Sequence, residues 1–287
     1  MKITEQHRVQ AISEKIRLQE YGVGIFDALQ TKSALKKAIK RKSILIDGEV
    51  AETSTWIQEG QLIELKAGQI DTERKVFNLK LNVVYEDEDL AVIEKPVGFP
   101  TNGNYFKTIE NALPFNLKTS TKKDFLPYPQ PVHRLDNPTS GLLLVAKTNS
   151  AKTLLSVSFE NNSIHKTYIA IAHGSFEETA GVFDSKIDNK DSKTRFQVLE
   201  KNNIGVANYS FLKLFPSTGR THQIRIHLSN SGHPILGDSI YGLTDDKQKK
   251  LFLHAVGIQF LHPKKEVEMS FETDIPKRFL KFIEDRN

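Results

Sequence analysis

The chain has 287 residues, enough for one large domain or for a large and a small one. Hydrophobic residues make up 38% of it and charged residues 26%, a globular composition that excludes fibrous and wholly disordered classes. The lack of cysteine excludes a disulfide framework, a zinc ribbon and a thiolate nucleophile, and the net charge of +5 permits a polyanionic partner without requiring one.

The N-terminal segment and the longest apolar run argue against secretion and membrane insertion. Residues 1–17 alternate charged and apolar side chains and lack the apolar stretch that a signal peptide requires. The longest apolar run, residues 142–146, is far shorter than the ~20 residues that cross a bilayer. We therefore expect a cytoplasmic protein with no membrane partner, and we expect it to be monomeric.

The positive charge is concentrated in a segment near the N terminus, because residues 29–46 contain no acidic side chain. Ser33 is a candidate helix cap, and apolar residues follow it at helical spacing. These apolar positions are Ala34, Leu35, Ala38 and Ile39. The opposite face of the predicted helix is basic and is formed by Lys36, Lys37, Lys40 and Arg41. This basic face is either simply solvated or a contact surface for a polyanion.

A strand, a turn and a second strand follow the predicted helix. Residues 44–46 predict a short strand, Asp47-Gly48 a tight turn and residues 60–65 an alternating strand. This order resembles an S4-type RNA-binding domain, in which a short basic helix is followed by a strand, an Asn-Gly or Asp-Gly turn and a strand that begins Gly-Asp/Gln-x-Ile. The resemblance implies a small α/β domain over residues 1–70 whose basic face contacts RNA.

Residues 66–80 are polar and read as a linker, after which a larger domain over residues 80–287 is predicted. Its predicted strands are Asn82–Tyr85, Leu90–Ile93, Leu142–Val145, Tyr168–Ala172 and Asn208–Leu214. A final helix after Pro276 is expected to bury Phe279, Leu280 and Ile283. Residues 107–130 have no clear period, so we predict a surface segment that becomes ordered with a ligand.

One loop carries the densest cluster of polar and turn-forming residues. It runs from His133 to Gly141 and leads directly into the apolar stretch 142–145. Its Asn-Pro and Ser-Gly pairs are turn formers, so Arg134 and Asp136 are expected on a constrained loop at the entry of a strand, where a carboxylate can face a substrate. An aspartate that only caps the turn is the alternative interpretation.

Residues 133–147 closely resemble the signature of the RluA-type pseudouridine synthases, His-Arg-Leu-Asp-x-x-Thr-Ser-Gly-Leu-Leu-Leu-x-Ala-Lys, at each fixed position. The resemblance extends in family order over roughly residues 82–273. The further matching blocks are 85–87, 95–98, 166–170, 218–228, 232–238 with 241–242, 253–255 and 262–263. Membership would imply an α+β fold with a mixed, largely antiparallel sheet flanked by helices.

The resemblance also implies a chemistry and four site residues. Asp136 matches the catalytic aspartate, and Arg225 matches the arginine that pairs with it. Tyr168 matches a tyrosine that packs on the target base and is a candidate to assist proton transfer at C5. Arg134 matches the residue that enters the RNA stack when the uridine is flipped out. The alternatives are a surface arginine for Arg225, an ordinary strand aromatic for Tyr168, and loop stabilisation by Arg134.

Neither a metal nor another cofactor is expected. Isomerisation of uridine breaks an N-glycosidic bond and forms a C–C bond to the same base without redox change, so one carboxylate suffices. The spacing of the histidines within the matching blocks suits no common metal site, and we interpret them as hydrogen-bonding or core groups. These histidines are His133, His222, His227, His233 and His254.

RNA is the expected partner, and 23S rRNA is favoured over tRNA because an S4-like domain before the catalytic domain is more typical of the family's large-subunit rRNA enzymes. A non-catalytic RNA-binding or ribosome-assembly protein on the same fold is an alternative, although it would be expected to have lost Asp136 or Arg225. A glycoside hydrolase is disfavoured because its usual mechanism needs two carboxylates at a fixed separation.

Overall fold

The computed structural model describes residues 3–12, 14–26, 29, 31–66, 75–202 and 208–284. The chain divides into two compact units, Met1–Arg74 and Lys75–Asn287. This division falls inside the segment predicted as a linker, of which residues 67–74 lie outside the described residues. Among the described residues, no helix is long and apolar enough to cross a membrane.

The first unit consists of a small antiparallel sheet, a separate strand pair and two helices. Its elements are β1 (Ile3–Arg8), β2 (Ile16–Arg17), α1 (Leu18–Tyr21), α2 (Lys32–Lys40), β3 (Ile44–Ile46), β4 (Glu49–Val50), β5 (Trp56–Ile57) and β6 (Leu62–Lys66). The sheet has the order β1-β6-β3-β4, and β2 pairs with β5. Helix α2 buries its apolar stripe in the unit's core, while its basic face is exposed.

Side-chain hydrogen bonds fix the start of α2 and the turn between β3 and β4. The helix begins two residues earlier than predicted, because Thr31 rather than Ser33 is the cap: its Oγ1 accepts the Ala34 N–H at 3.1 Å. The predicted Asp47-Gly48 turn is confirmed. Both residues have positive φ, 50° and 87°, as the tightest hairpin turns require, and the Asp47 carboxylate accepts the Leu62 N–H at 2.9 Å.

The second unit is built around one large sheet. Its elements are β7 (Asn82–Glu86), β8 (Leu90–Lys95), α3 (Ile109–Asn116), β9 (Phe125–Pro131), β10 (Ser140–Thr148), α4 (Asn149–Glu160), β11 (His165–His173), β12 (Ala180–Phe183), β13 (Thr194–Asn202), β14 (Tyr209–Pro216), α5 (Gln223–Asn230), β15 (Leu253–Leu261), β16 (Glu268–Glu272) and α6 (Lys277–Glu284). All five predicted strands of this domain are present.

The sheet has the order β12-β13-β14-β11-β15-β10-β8-β7, with β16 added to β15 and β9 added to β10. Only the β10–β15 pair is parallel among the described strands, so the expected mixed, largely antiparallel sheet is confirmed. Strand β10 is buried along its whole length and contributes alternate residues to the hydrophobic clusters on the two faces. Helices α3, α5 and α6 cover one cluster, and α4 contributes to the other.

The prediction of an aperiodic surface segment over residues 107–130 is wrong. The segment forms α3 and most of β9, and Ile109, Ala112 and Leu113 are fully buried in the main core. The Asn116 side chain ties the helix end to the chain before β7 by accepting the Leu81 N–H at 2.8 Å. The helix has only eight residues and contains a proline, so it lacks the long apolar period that identifies a helix in sequence.

The final helix is present, with one correction to its buried face. Phe279 is buried as predicted and Ile283 packs against the core, whereas Leu280 is 41% exposed and Phe282 is buried in its place. Phe282 lies three residues after Phe279 and four after Arg278, whose guanidinium lies over the Phe279 and Phe252 rings.

Candidate active site

The loop between β9 and β10 is fixed by buried hydrogen bonds. Lys95 at the end of β8 is fully buried, and its Nζ donates to the carbonyl oxygens of Pro96, Asn137 and Thr139 at 3.0, 3.1 and 2.8 Å. Three carbonyl acceptors match the three N–H bonds of an ammonium group. Burial lowers the pKa of Lys95 to about 7, against the opposing effect of the negative charge of Asp136. The buried Lys95 side chain therefore holds the loop in one conformation.

Two more contacts complete this support. The Thr101 hydroxyl donates to the Leu135 carbonyl at 2.9 Å and accepts the Leu135 N–H at 3.1 Å. At the end of the loop Gly141 has a φ of 119°, and a Cβ there would collide with the backbone of Ala255 on the parallel strand β15. Glycine is required here because the two strands approach too closely for any side chain.

Asp136 lies on this loop, partly exposed, opposite the N-terminal turn of α5. Its Oδ2 lies 3.4 Å from Nη1 of Arg225, whose side chain is 2% exposed. Asp238 holds that guanidinium in a bidentate pair, with Nε–Oδ2 and Nη2–Oδ1 distances of 2.7 Å. The Asp238 carboxylate also accepts the N–H groups of Ile240 and Tyr241. Arg225 is thus a buried, oriented cation rather than a surface arginine.

The charges of this pair are mutually stabilised. Burial would raise the pKa of Asp238, but the hydrogen bonds from Arg225 and from the two backbone N–H groups lower it below its usual value. Burial likewise opposes the charge of Arg225, yet the hydrogen bond and negative charge of Asp238, followed by the charge of Asp136, raise its pKa. Because Asp238 uses Nε and Nη2, the Nη1 group is left to face Asp136.

Tyr168 on β11 lines the same cavity as Asp136 and is 9% exposed. Burial, followed by the negative charge of Asp136, raises the pKa of the Tyr168 hydroxyl well above its ordinary value. The phenol therefore stays protonated at physiological pH and presents a flat ring with a hydrogen-bond donor at its edge. Such a group suits contact with a planar base better than removal of a proton.

The cavity has a volume of about 440 Å³, within the range of small-molecule sites. Its wall combines aromatic side chains with several cations. The lining residues that carry this chemistry are Arg134, Phe159, Lys166, Arg220, His222 and Arg225, beside Asp136 and Tyr168. Burial lowers the pKa of Lys166, whose ammonium lies 5.9 Å from the Phe159 ring centroid. In the sequence, Lys166 is distinguished only by its place in a block that matches the family.

Comparisons with known proteins identify the family. Residues 89–230 match the family described as RNA pseudouridylate synthase. An RNA pseudouridine synthase of Aquifex aeolicus is 31% identical over 97% of this chain and 96% of its own length. A ribosomal large subunit pseudouridine synthase D of Vibrio cholerae is 34% identical over 86% of this chain and 84% of its own. This chain belongs to the RluA type of RNA pseudouridine synthase.

Solved structures agree on the fold of the synthase. Human RNA pseudouridylate synthase domain containing 1 superimposes with a TM-score of 0.57 and 23% identity, over 74% of this chain and 98% of its own. Human RNA pseudouridylate synthase domain containing 4 gives a TM-score of 0.57 and 24% identity, over 71% and 92%. The predicted pseudouridine synthase fold is confirmed.

His222, predicted as a hydrogen-bonding or core histidine, is a hydrogen-bonding group beside Asp136. Its side chain is 25% exposed, so it is not a core residue, and its Nε2 lies 3.7 Å from Oδ1 of Asp136. Its backbone is left-handed, with φ 55°, and its Nδ1 pairs with the Tyr241 hydroxyl at 3.0 Å. Strained backbone of this kind is concentrated at functional sites. The two oxygens of Asp136 thus face different side chains, His222 and Arg225.

The other predicted site residues fall into two groups. Arg134 is exposed at the cavity wall and forms no hydrogen bond or ion pair with any described residue, so the loop-stabilising alternative has no support in these contacts. The basic face of α2 belongs to the first unit, where its four side chains are exposed. The structure therefore brings Arg134, Asp136, Tyr168 and Arg225 to one cavity of the second unit.

One cluster among the described residues has the composition of a metal site, formed by Asp87, Asp89 and His262. Its carboxylates are already neutralised, because Lys265 lies 2.8 Å from Asp87 and Lys122 lies 2.6 Å from Asp89. His262 also pairs with Asp87 at 2.9 Å. Both carboxylates are thus paired with lysines, and the Asp87 carboxylate also accepts the N–H groups of Asp89 and Leu90, so this cluster braces the β7–β8 turn.

The buried His254 predicts a dependence of stability on pH. Its nitrogens pair with the hydroxyls of Ser140 and Thr273, and burial, assisted by the charge of Arg278, lowers its pKa to about 4. In the unfolded chain a histidine takes up its proton near pH 6.5. The unfolded state therefore binds more protons between these values, and we expect the free energy of unfolding to fall as the pH falls from 6.5 towards 4.

Denaturant titration of wild type and His254→Gln at several pH values measures this contribution. Between pH 6.5 and 4, the free energy of unfolding of the variant should fall by about 3 kcal/mol less than that of wild type. The exposed His165→Gln is the matched control and should leave the dependence unchanged. Equal pH dependences for His254→Gln and wild type would show that His254 does not carry the effect.

Proposed function

We propose that this protein converts uridine to pseudouridine in large-subunit rRNA, with Asp136 as the catalytic residue. The observation that carries the proposal is the Asp136–Arg225–Asp238 arrangement: a buried guanidinium, fixed by one carboxylate, faces a second carboxylate that opens into a cavity. A catalytic carboxylate in a site dry enough to hold a base needs a nearby cation to stay ionised. Arg225 supplies that cation.

Two routes are open to an ionised Asp136. It attacks C1′ of the ribose while the C1′–N1 electron pair leaves with the uracil, or it takes a sugar proton to give a glycal. In the first route the bond between the Asp136 oxygen and C1′ breaks as C5 of the turned uracil bonds to C1′, and in the second the sugar proton taken by Asp136 returns to the ribose as that C–C bond forms. The C5 proton is then lost and N1 gains a proton, so that no group is added or removed. Both routes require the carboxylate, and neither requires a second one as a hydrolase does.

Tyr168 and His222 support this assignment in different ways. The protonated phenol of Tyr168 suits packing against the uracil ring and donation to one of its oxygens. His222 limits the rotation of the Asp136 carboxylate from the side opposite Arg225. With each oxygen facing its own partner, the carboxylate has one preferred orientation towards the ribose, and orientation of this kind contributes to the rate.

Access to a stacked uridine requires base flipping, and we assign to Arg134 the role of filling the resulting gap. Arg134 lies two residues before Asp136 on the same loop. It is exposed, and its guanidinium forms no hydrogen bond or ion pair with any described side chain. A planar cation can stack between bases and contact phosphates at the same time. Arg134 has both the freedom and the proximity that this role needs.

The rRNA substrate is supported by relatives. Several proteins named ribosomal large subunit pseudouridine synthase D match most of this chain at 30 to 35% identity. The experiment that tests the function maps pseudouridines in 23S rRNA and tRNA from cells with and without the gene. Loss of specific 23S rRNA sites is expected. Loss confined to tRNA would overturn the substrate assignment, and release of free uracil from RNA by the purified protein would identify a hydrolase.

We further propose that the first unit binds RNA through the basic face of α2, and a salt titration tests this. Phosphate contacts release counterions, so the log–log slope of affinity against salt is roughly −0.7 per contact on single strands. Changing Lys36, Lys37, Lys40 and Arg41 together to Gln should weaken binding to a long structured RNA. It should reduce the magnitude of the slope by about 1–3 units and leave turnover at saturating RNA nearly intact.

The matched control removes the same charge elsewhere, by changing the exposed Lys118, Lys264, Lys277 and Lys281 to Gln. It should change the slope far less than the α2 variant does. Identical slopes for the two quadruple variants would mean that the basic face of α2 is only solvated.

A further inference from the structure

The loop that carries Asp136 separates two cavities of the second unit. The first, with Tyr168, is the one described above, and the second has a volume of about 540 Å³. Both cavities are lined by Arg134, Leu135, Asp136, His222 and Arg225. The second cavity therefore begins where the first ends, at the catalytic carboxylate itself.

The walls of the second cavity are fixed by hydrogen bonds. The loop after β8 is held by the N–H groups of Gly98 and Glu110, which donate to the carbonyl oxygens of Asn137 and Thr101 at 3.0 and 2.9 Å. The opposite wall, residues 237–251, is held by Asp246, whose carboxylate accepts the N–H groups of Gly237 and Gln248. Because hydrogen bonds hold both loops, less conformational entropy is lost when a ligand binds between them.

The charge in this cavity is positive. Lys249, Lys250 and Arg134 line it, are exposed, and form no ion pair with any described residue. The only carboxylate among its described lining residues is Asp136, which already faces Arg225 and His222. Three unneutralised cations on one concave surface concentrate an anionic ligand there.

The remaining lining groups suit a nucleotide rather than a bare anion. Asn102 and Ser239 are exposed and offer hydrogen-bonding groups of both kinds, and Ile240, 62% exposed, offers an apolar surface. The volume lies within the range of sites that hold small organic molecules. Phosphate, sugar and base each find a complementary group.

We propose that the second cavity binds the nucleotide adjacent to the target uridine, with Lys249 and Lys250 contacting its phosphate. This inference rests on the proposed function, because it takes the first cavity as the site of the target uridine. Arg134 then lies between the two nucleotides, and the RNA chain passes from one cavity to the other over the loop that carries Asp136.

The test compares Lys249→Gln/Lys250→Gln with the control Lys277→Gln/Lys281→Gln, which removes the same charge from exposed lysines of α6. Equilibrium binding of a large-subunit rRNA transcript is measured from 50 to 300 mM salt. Loss of the contacts to this one phosphate should reduce the magnitude of the salt slope by about 0.7 units and weaken binding on the order of tenfold. The control should keep the wild-type slope, and Lys249→Arg/Lys250→Arg should restore it.

Equal slopes for the two Gln variants would overturn the proposal. A second arm titrates uridine 5′-monophosphate against the same variants. If only the free nucleotide loses affinity in Lys249→Gln/Lys250→Gln while RNA binding stays at wild-type level, the cavity takes a mononucleotide and the proposal is also overturned. RNA binding is measured without turnover. If the wild type formed no pseudouridine, the proposed function would be refuted, but the salt slopes of the two Gln variants could still be compared.

Discussion

Replacing Asp136 with asparagine should abolish pseudouridine formation, lowering turnover by roughly 10³-fold or more, while RNA affinity stays within a few-fold of wild type. The amide has nearly the shape of the carboxylate and retains an oxygen towards Nη1 of Arg225, so the loop should keep its conformation. What it lacks is the negative charge, and an amide neither attacks C1′ nor accepts a sugar proton at a useful rate.

The measurement is single-turnover conversion of an rRNA transcript, with RNA binding followed separately. The control is Asp274→Asn, which removes an exposed carboxylate that lines neither cavity and should retain full activity. Turnover by Asp136→Asn at a tenth of the wild-type rate would rule out Asp136 as the catalytic group. Loss of RNA binding in parallel would instead mean that the charge maintains the loop.

The sequence predicted the loop of this site well because its chemistry is local. Turn-forming pairs, the apolar strand that follows and the match to a family signature all lie within residues 133–147, and the structure has a braced loop followed by a buried strand there. The Arg225 assignment came from the resemblance alone. Nothing in spacing indicates that an arginine on α5 reaches across 89 positions to Asp136.

The residues that support Asp136 and Arg225 could not be predicted, because their contacts join positions that are distant in the sequence. Asp238 lies in a block that matched the family, but its bidentate contact with Arg225 depends on how the chain returns after α5. His222 lies beside Asp136 with a left-handed backbone, and no pattern in the sequence indicates either feature. Helix α3 was missed because its stability comes from burial against distant strands rather than from local propensity.

The buried Arg225–Asp238 pair raises a question of stability as well as of catalysis. Removing one member of such a pair leaves an uncompensated charge and costs about 3–5 kcal/mol, whereas removing both charges is often much less costly. With a single substitution, a loss of activity caused by unfolding cannot be distinguished from a loss caused by the missing catalytic contact. Because the Asp238 side chain also accepts two backbone N–H groups, asparagine is the substitution that removes its charge and keeps an acceptor.

These relations lead to a prediction for three variants. Arg225→Met should lower the free energy of unfolding by about 3–5 kcal/mol, because the Asp238 carboxylate is left buried without its partner. Arg225→Met/Asp238→Asn should recover most of that loss. Asp238→Asn alone should destabilise the protein, since Arg225 then loses the partner that orients it. Thermal or denaturant unfolding of the set gives the coupling free energy between the two residues.

Activity should not follow stability across the same set. Arg225→Met/Asp238→Asn remains without the cation that faces Asp136, so its turnover should stay about 10²-fold or more below wild type, with RNA affinity nearly unchanged. A double variant that recovers both stability and wild-type turnover would show that Arg225 acts only in folding, and Asp136 would then need another source of positive charge.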